Sequence, residues 1–139
     1  MLEQRDEALM GGVRTAQALL RLRAQMAAQL QQGHHLLASA RYKLGTDRVS
    51  ASQLPGEESE HLATWRVTSD DAGRSTLEAV TPAPKNSLRL FGVLLPQEMK
   101  LAQQAFQKAA TLAVEVSNLQ KDLATYQSQF ELKSEKKEE

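Results

Sequence analysis

Two proline-free stretches of about forty residues dominate the chain, and all four prolines lie between them. Each stretch carries apolar residues at steps of three, four or seven. That spacing is the signature of one stripe along a long amphipathic helix. In the first stretch, residues 2–44, the stripe reads Leu9, Val13, Ala16, Leu20, Ala27, Leu30, Leu37 and Leu44. Leu19 and Met26 widen it by one position, and Arg23 sits inside it. Gly11, Gly12 and Gly33 each weaken a helix by about 1 kcal/mol relative to Ala. Gly45 follows the last periodic residue, where a helix C-cap is expected. In the second stretch Leu112, Val116, Leu119, Leu123, Tyr126 and Phe130 step 4-3-4-3-4, a heptad pattern. Leu101, Ala105 and Ala109 continue it upstream with smaller residues.

A straight helix of about 40 residues is about 60 Å long, too long for a compact domain of this size. Folding the two helices against each other is the simplest way to bury both stripes. The expected fold is mainly α: a long antiparallel two-helix coiled-coil hairpin with a small β-hairpin element inserted between the helices. The expected single elongated domain runs 1–139. It divides into a first helix (2–44), a β element and linker (45–90), an apolar lead-in with the second helix (91–133) and a charged tail (134–139). Two helices bury one stripe each, and the first has more apolar face than one partner covers. The leftover face suggests a helix from another chain.

The middle segment holds Pro55, Pro82, Pro84 and three glycines. Residues 62–68 and 75–81 contain Trp65, Val67, Leu77 and Val80, flanking the turn-rich run from Ser69 to Gly73. They read as a β-hairpin, with Val49 to Leu54 as the candidate third strand. Gly56 to Glu60 is acidic and expected to be mobile, and 81–87 is a linker. Residues 88–96, Leu-Arg-Leu-Phe-Gly-Val-Leu-Leu-Pro, form the most apolar stretch. It is far shorter than a membrane span. Two readings stay open for Phe91 to Pro96: a plug closing the end of the helix pair, or a docking knob.

Lysine plus arginine and aspartate plus glutamate both count 17, so the formal net charge is zero. A neutral chain has no global field to gather phosphates, which argues against an obligate nucleic-acid binder. Arg14 and Arg21 share one face, but two arginines make a solvated stripe rather than a phosphate site. Cysteine is absent. That removes disulfides, cysteine zinc sites and thiol catalysis, and fits the cytosol or nucleus. The first residues lack a signal-peptide core, so a soluble intracellular chain is expected. His34 and His35 are adjacent and point about 100° apart on a helix, so they cannot grip one metal from one face. His61 is distant in sequence. Asp70 and Asp71 beside Gly73 read as turn residues. No phosphate loop, nucleophile elbow or HExxH occurs. The expectation is a non-enzyme with no cofactor and no metal. For Arg23, a snorkelling stem and a register contact to a carboxylate stay open.

Two ordered motifs go further. The first is Leu37-Ala38-Ser39-Ala40-Arg41-Tyr42-Lys43-Leu44-Gly45. The second is Leu90-Phe91-Gly92-Val93-Leu94-Leu95-Pro96, followed by Leu101, Ala105, Phe106 and Leu119-Gln120. Together they resemble the coiled-coil domain-containing protein 115 family, whose yeast relatives are assembly factors of the vacuolar proton-pumping ATPase. Leu90 stands where that family tends to carry Trp, and the variable middle is short here. The resemblance implies a non-catalytic assembly chaperone for the membrane sector of that ATPase. It implies a membrane-anchored partner of the transmembrane protein 199 type, on the cytosolic face of the endoplasmic reticulum and early secretory pathway, with endosomes and lysosomes as the compartments whose acidification depends on it. The closing Lys136-Lys137-Glu138-Glu139 resembles a dilysine retrieval signal, relevant only if a membrane partner carries the chain; otherwise it is a solvated tail.

Helix-in-groove binding is the expected mechanism. Leu112, Val116, Leu119, Leu123, Tyr126 and Phe130 are expected to pack on the first helix or on a partner. Tyr42, Phe91 and Leu94 are expected to organise the end of the hairpin near the β element. Two other classes fit the same pattern: a prefoldin-like client-binding subunit, and a generic coiled-coil tether.

Overall fold

The computed structural model describes residues 2–45, 47–57 and 62–138. His61, Glu58 to Glu60 of the acidic run and Glu139 of the tail lie outside the described residues. Helix α1 spans Leu2–Leu44 and helix α2 spans Gln97–Glu138. Between them lie strands β1 (Trp65–Ser69) and β2 (Ser75–Ala79) and two short 3-10 helices, Ala51–Gln53 and Ser87–Phe91. The second helix therefore runs on through most of the charged tail. The candidate third strand at 49–54 is instead a 3-10 turn, capped reciprocally by Ser50 and Gln53. Gly45 ends α1 in a left-handed conformation, φ +88°, with its N–H bonded to Arg41 O at 2.9 Å.

The two long helices lie against each other and run antiparallel. Contacts from one end to the other establish the direction. Lys133 Nζ donates to Gln4 O at 3.3 Å, and Arg5 lies 4.7 Å from the centre of the Phe130 ring. Gly11 faces Tyr126, Gly33 faces Phe106, and Lys43 is ion-paired with Glu98.

On α2 the expected stripe is buried or half-buried except at its upstream end, where Leu101 is exposed and Ala102 takes its place. Val116 is buried, and Leu112, Leu119, Leu123, Tyr126 and Phe130 are half-buried, with Ala102, Ala105 and Ala109 buried upstream. On α1 the expected stripe is displaced by one residue. The inward line is Ala8, Gly12, Thr15, Leu19, Leu22, Met26 and Gly33, then Ala40. Leu20 faces outward with 67% of its surface exposed, Leu30 is also exposed, and Leu9 and Val13 flank the seam in a groove with Leu123, Tyr126 and Phe130. One residue is a rotation of about 100° on a helix.

The reason is complementarity of size. Helix α2 presents Phe106 and Tyr126 to α1. A Cβ built on Gly33 would lie 2.8 Å from the Phe106 ring, and one on Gly11 would lie 2.6 Å from the Tyr126 ring. Rings of that bulk need glycine opposite them, so the small-residue line is chosen over the leucine-rich one. Leu37 and Leu44, the last members of the expected stripe, do join the core, because stripe and seam converge at the end of α1.

The hairpin is antiparallel, with Trp65 opposite Ala79 and Ser69 opposite Ser75. Asp70 makes its turn: Asp70 Oδ1 accepts from Arg74 N at 2.8 Å, and Gly73 adopts φ +81°. No helix of the described residues is long and apolar enough to cross a membrane.

Candidate functional site

The two motifs, forty-odd residues apart in sequence, meet at the closed end of the helix pair. Ala40 of the first motif is fully buried beside Val49 and Met99. Phe91 and Leu95 of the second motif pack on that cluster with Leu37, Leu44 and Leu88. Lys43 and Glu98 clasp the last turn of α1 to the first turn of α2. The lysine holds the Glu98 carboxyl below its usual range. Asn86 caps the 3-10 helix through Leu88 N at 3.0 Å and accepts from Gln103 Nε2 at 2.9 Å, which ties that turn to α2.

Gly92 decides which side chains leave this cluster. It adopts φ +122°, a conformation side chains resist, with its N–H on Arg89 O at 3.2 Å. On either side of it Phe91 and Leu95 pack inward, while Val93 and Leu94 turn outward. Val93 is 99% exposed and Leu94 92% exposed. Tyr42, two residues beyond buried Ala40, is 92% exposed. Each motif thus has an inward part that closes the helix pair and an outward part that is almost fully exposed among the described residues. Within Phe91 to Pro96, Phe91 and Leu95 fit the plug reading, and Val93 and Leu94 are exposed.

This corrects one expectation. Phe91 organises the end of the pair, but Tyr42 and Leu94 do not pack there. The β-hairpin borders that end through Trp65 and Leu77, which share a groove with Leu37, Leu88, Phe91 and Met99. It lies partway along α2, held at Asn118, Lys121 and Asp122. Asn118 accepts from Ser75 N at 2.8 Å and donates to Ser75 O at 2.9 Å. Arg74 pairs with Asp122 at 3.0 Å, and Lys121 donates to Gly73 O. An open groove of about 650 Å³ runs between the hairpin, the Ser87–Phe91 turn and α2. Trp65, Leu77, Leu88, Phe91 and Phe106 line it.

The α2 residues proposed for partner contact are brought together along α1. Tyr126 sits on Gly11, and Phe130 lies under the Arg5 guanidinium. Arg23 is exposed and off the inward line. His34 is edge-on to Phe106, ring centres 5.1 Å apart at 74°. Among the described residues, no group of three or more His, Asp or Glu could hold a metal ion. Val93 and Asn118 were not singled out from sequence. Asn118 carried no signal, being one polar residue on a mostly polar helix face.

Comparison with known proteins finds relatives over most of the chain. The chain is 24% identical to the vacuolar ATPase assembly protein VMA22 of Danio rerio, over 96% of this chain and 90% of that protein. It is 27% identical to the proteins of the same name from Bos taurus and Mus musculus, in each case over 78% of this chain and 77% of the relative. No protein-family model matches. Homologues of one name therefore cover most of the chain at low identity, and they are the relatives that the two motifs resemble.

Proposed function

We propose that this chain is a non-catalytic assembly factor of the vacuolar ATPase. The observation that carries the reading is its homology, along 96% of its length, to a protein named for that role. The geometry is consistent with it. A rigid pair of helices ends in a built tip on which Tyr42, Val93 and Leu94 are almost fully exposed. Large apolar side chains presented in this way are characteristic of binding surfaces.

In this reading Leu112, Val116, Leu119, Leu123, Tyr126 and Phe130 keep the platform rigid. Phe91 supports the tip, and Tyr42 and Leu94 touch the partner. The partner is a membrane-anchored assembly factor of the transmembrane protein 199 type, and the client is the membrane sector of the ATPase. The place is the cytosolic face of the endoplasmic reticulum, and the consequence is acidification of endosomes and lysosomes.

The test is a mild-detergent pull-down of the tagged chain from cells, read by mass spectrometry. Membrane-sector subunits and a membrane-anchored assembly factor are expected, with little of the soluble catalytic sector. A Tyr42→Ala/Leu94→Ser variant should keep its helicity and lose most of that recovery. Recovery of prefoldin subunits instead, or of no ATPase component, overturns the proposal.

A further inference from the structure

The leucine-rich stripe that α1 leaves partly exposed beside its seam with α2 is itself a regular heptad line. It reads Asp6, Leu9, Val13, Ala16, Leu20, Arg23, Ala27 and Leu30, stepping 3-4-3-4-3-4-3. Leu9, Val13, Leu20 and Leu30 are among the most exposed large apolar residues of the helix. Asp6 and Arg23 are exposed, and neither is ion-paired within the described residues. Both are charged residues at positions that a heptad partner would cover.

Charge along α1 is segregated. Glu3, Asp6 and Glu7 occupy its start, and from residue 8 to residue 44 it has basic residues but no acidic one. Two copies of the stripe can pair in only a few registers, and their polar members discriminate among them. Parallel pairing sets Asp6 on Asp6 and Arg23 on Arg23. An antiparallel register shifted by one heptad places Asp6 against Leu30 and Arg23 against Val13. The antiparallel register with its two-fold axis between Arg14 and Thr15 behaves differently. It sets Leu9 against Leu20, Val13 against Ala16 and Asp6 against Arg23, each pair made twice. It also lays the acidic first turns beside Arg21 and Arg23 of the other copy.

We infer that residues 6–23 of this stripe of α1 bind a second copy of this chain, antiparallel, in the register that joins Asp6 to Arg23. The result is a bundle of four helices. In it Arg23 sets the register, the role that a polar residue in an apolar seam plays best. The inference is independent of the ATPase reading, since it concerns the purified chain alone.

The experiment is sedimentation of the full chain from about 1 µM to about 100 µM, spanning the ordinary range of weak dimers. A monomer–dimer equilibrium is expected. Arg23→Asp and Asp6→Arg should each weaken it by about tenfold or more, because like charges then face each other. The double variant Asp6→Arg/Arg23→Asp should restore it. Circular dichroism checks that each variant keeps its helices. Since the chain has no cysteine, cross-linking reads the register directly. A mixture of Leu9→Cys and Leu20→Cys chains should oxidise to a covalent dimer, and Leu9→Cys alone should not. A wild-type chain monomeric throughout overturns the inference, as do self-cross-linking by Leu9→Cys and a double variant no tighter than the singles. A monomeric chain that still recovers ATPase subunits would leave the assembly reading standing and assign the stripe to another protein.

Discussion

Gly12 and Gly33 lie on the same inward line of α1 and differ in what stands opposite. A Cβ on Gly12 would meet Tyr126 Cβ at 3.6 Å, an ordinary contact, whereas one on Gly33 would press into the Phe106 ring at 2.8 Å. Gly12→Ala should therefore gain the helix-propensity difference, about 1 kcal/mol, and raise Tm by about 4 °C. Gly33→Ala should lower Tm despite the same intrinsic gain, and Phe106→Leu in that background should recover part of the loss. Thermal unfolding followed by circular dichroism checks both. Equal stabilisation by the two alanines would mean that Phe106 is free to move aside. From sequence each glycine reads only as a cost of about 1 kcal/mol. The ring that explains Gly33 lies 73 residues away, and no local pattern links the two positions.

The β-hairpin is a small element held from outside. Two five-residue strands are marginal alone in water. Asp70 N donates to Arg74 O at 3.0 Å. By the alternation of an antiparallel ladder, the amide and carbonyl of Ser75 then point away from β1. Asn118 satisfies both, standing in for a third strand. Asn118→Ala should leave those groups to solvent, remove two hydrogen bonds worth about 1 kcal/mol each, and free the hairpin from α2. Hydrogen exchange should then speed up across 65–79 while the far-UV signal of the long helices stays unchanged. Unaltered protection in that segment would mean that Arg74, Lys121 and the apolar side chains of the groove suffice. The strands and their turn were legible in sequence, because alternation and the Asp-Asp-Ala-Gly run are local signals. The docking position was not, since a lone asparagine on a helix does not announce its partner.

On the scale of the molecule, the helix pair has a thin interior, and its stability rests on one long contact line. Leu119→Asp with Leu123→Asp would place two carboxylates in that line. The desolvation cost of several kcal/mol is comparable to the whole stability of an ordinary small chain. The variant should lose most of its helical signal and its cooperative unfolding. Retained helicity would mean that these leucines serve contacts between chains rather than within one. The length of the first helix, the break between the two, the boundary at Gly45 and most of the stripe on α2 follow from the sequence by itself. Periodicity, proline placement and glycine caps act over a few residues and can be read in order along the chain. The two motifs and the homology they point to are equally a property of the sequence. The tertiary structure alone decided which line of α1 faces inward. The more hydrophobic line lost to the smaller one, because the rings of Phe106 and Tyr126 demand room rather than grease. It also decided that Tyr42, Val93 and Leu94 point outward while their neighbours Ala40, Phe91 and Leu95 close the end of the pair. Such choices depend on the shape of a surface far away in sequence, and no window along one segment contains it.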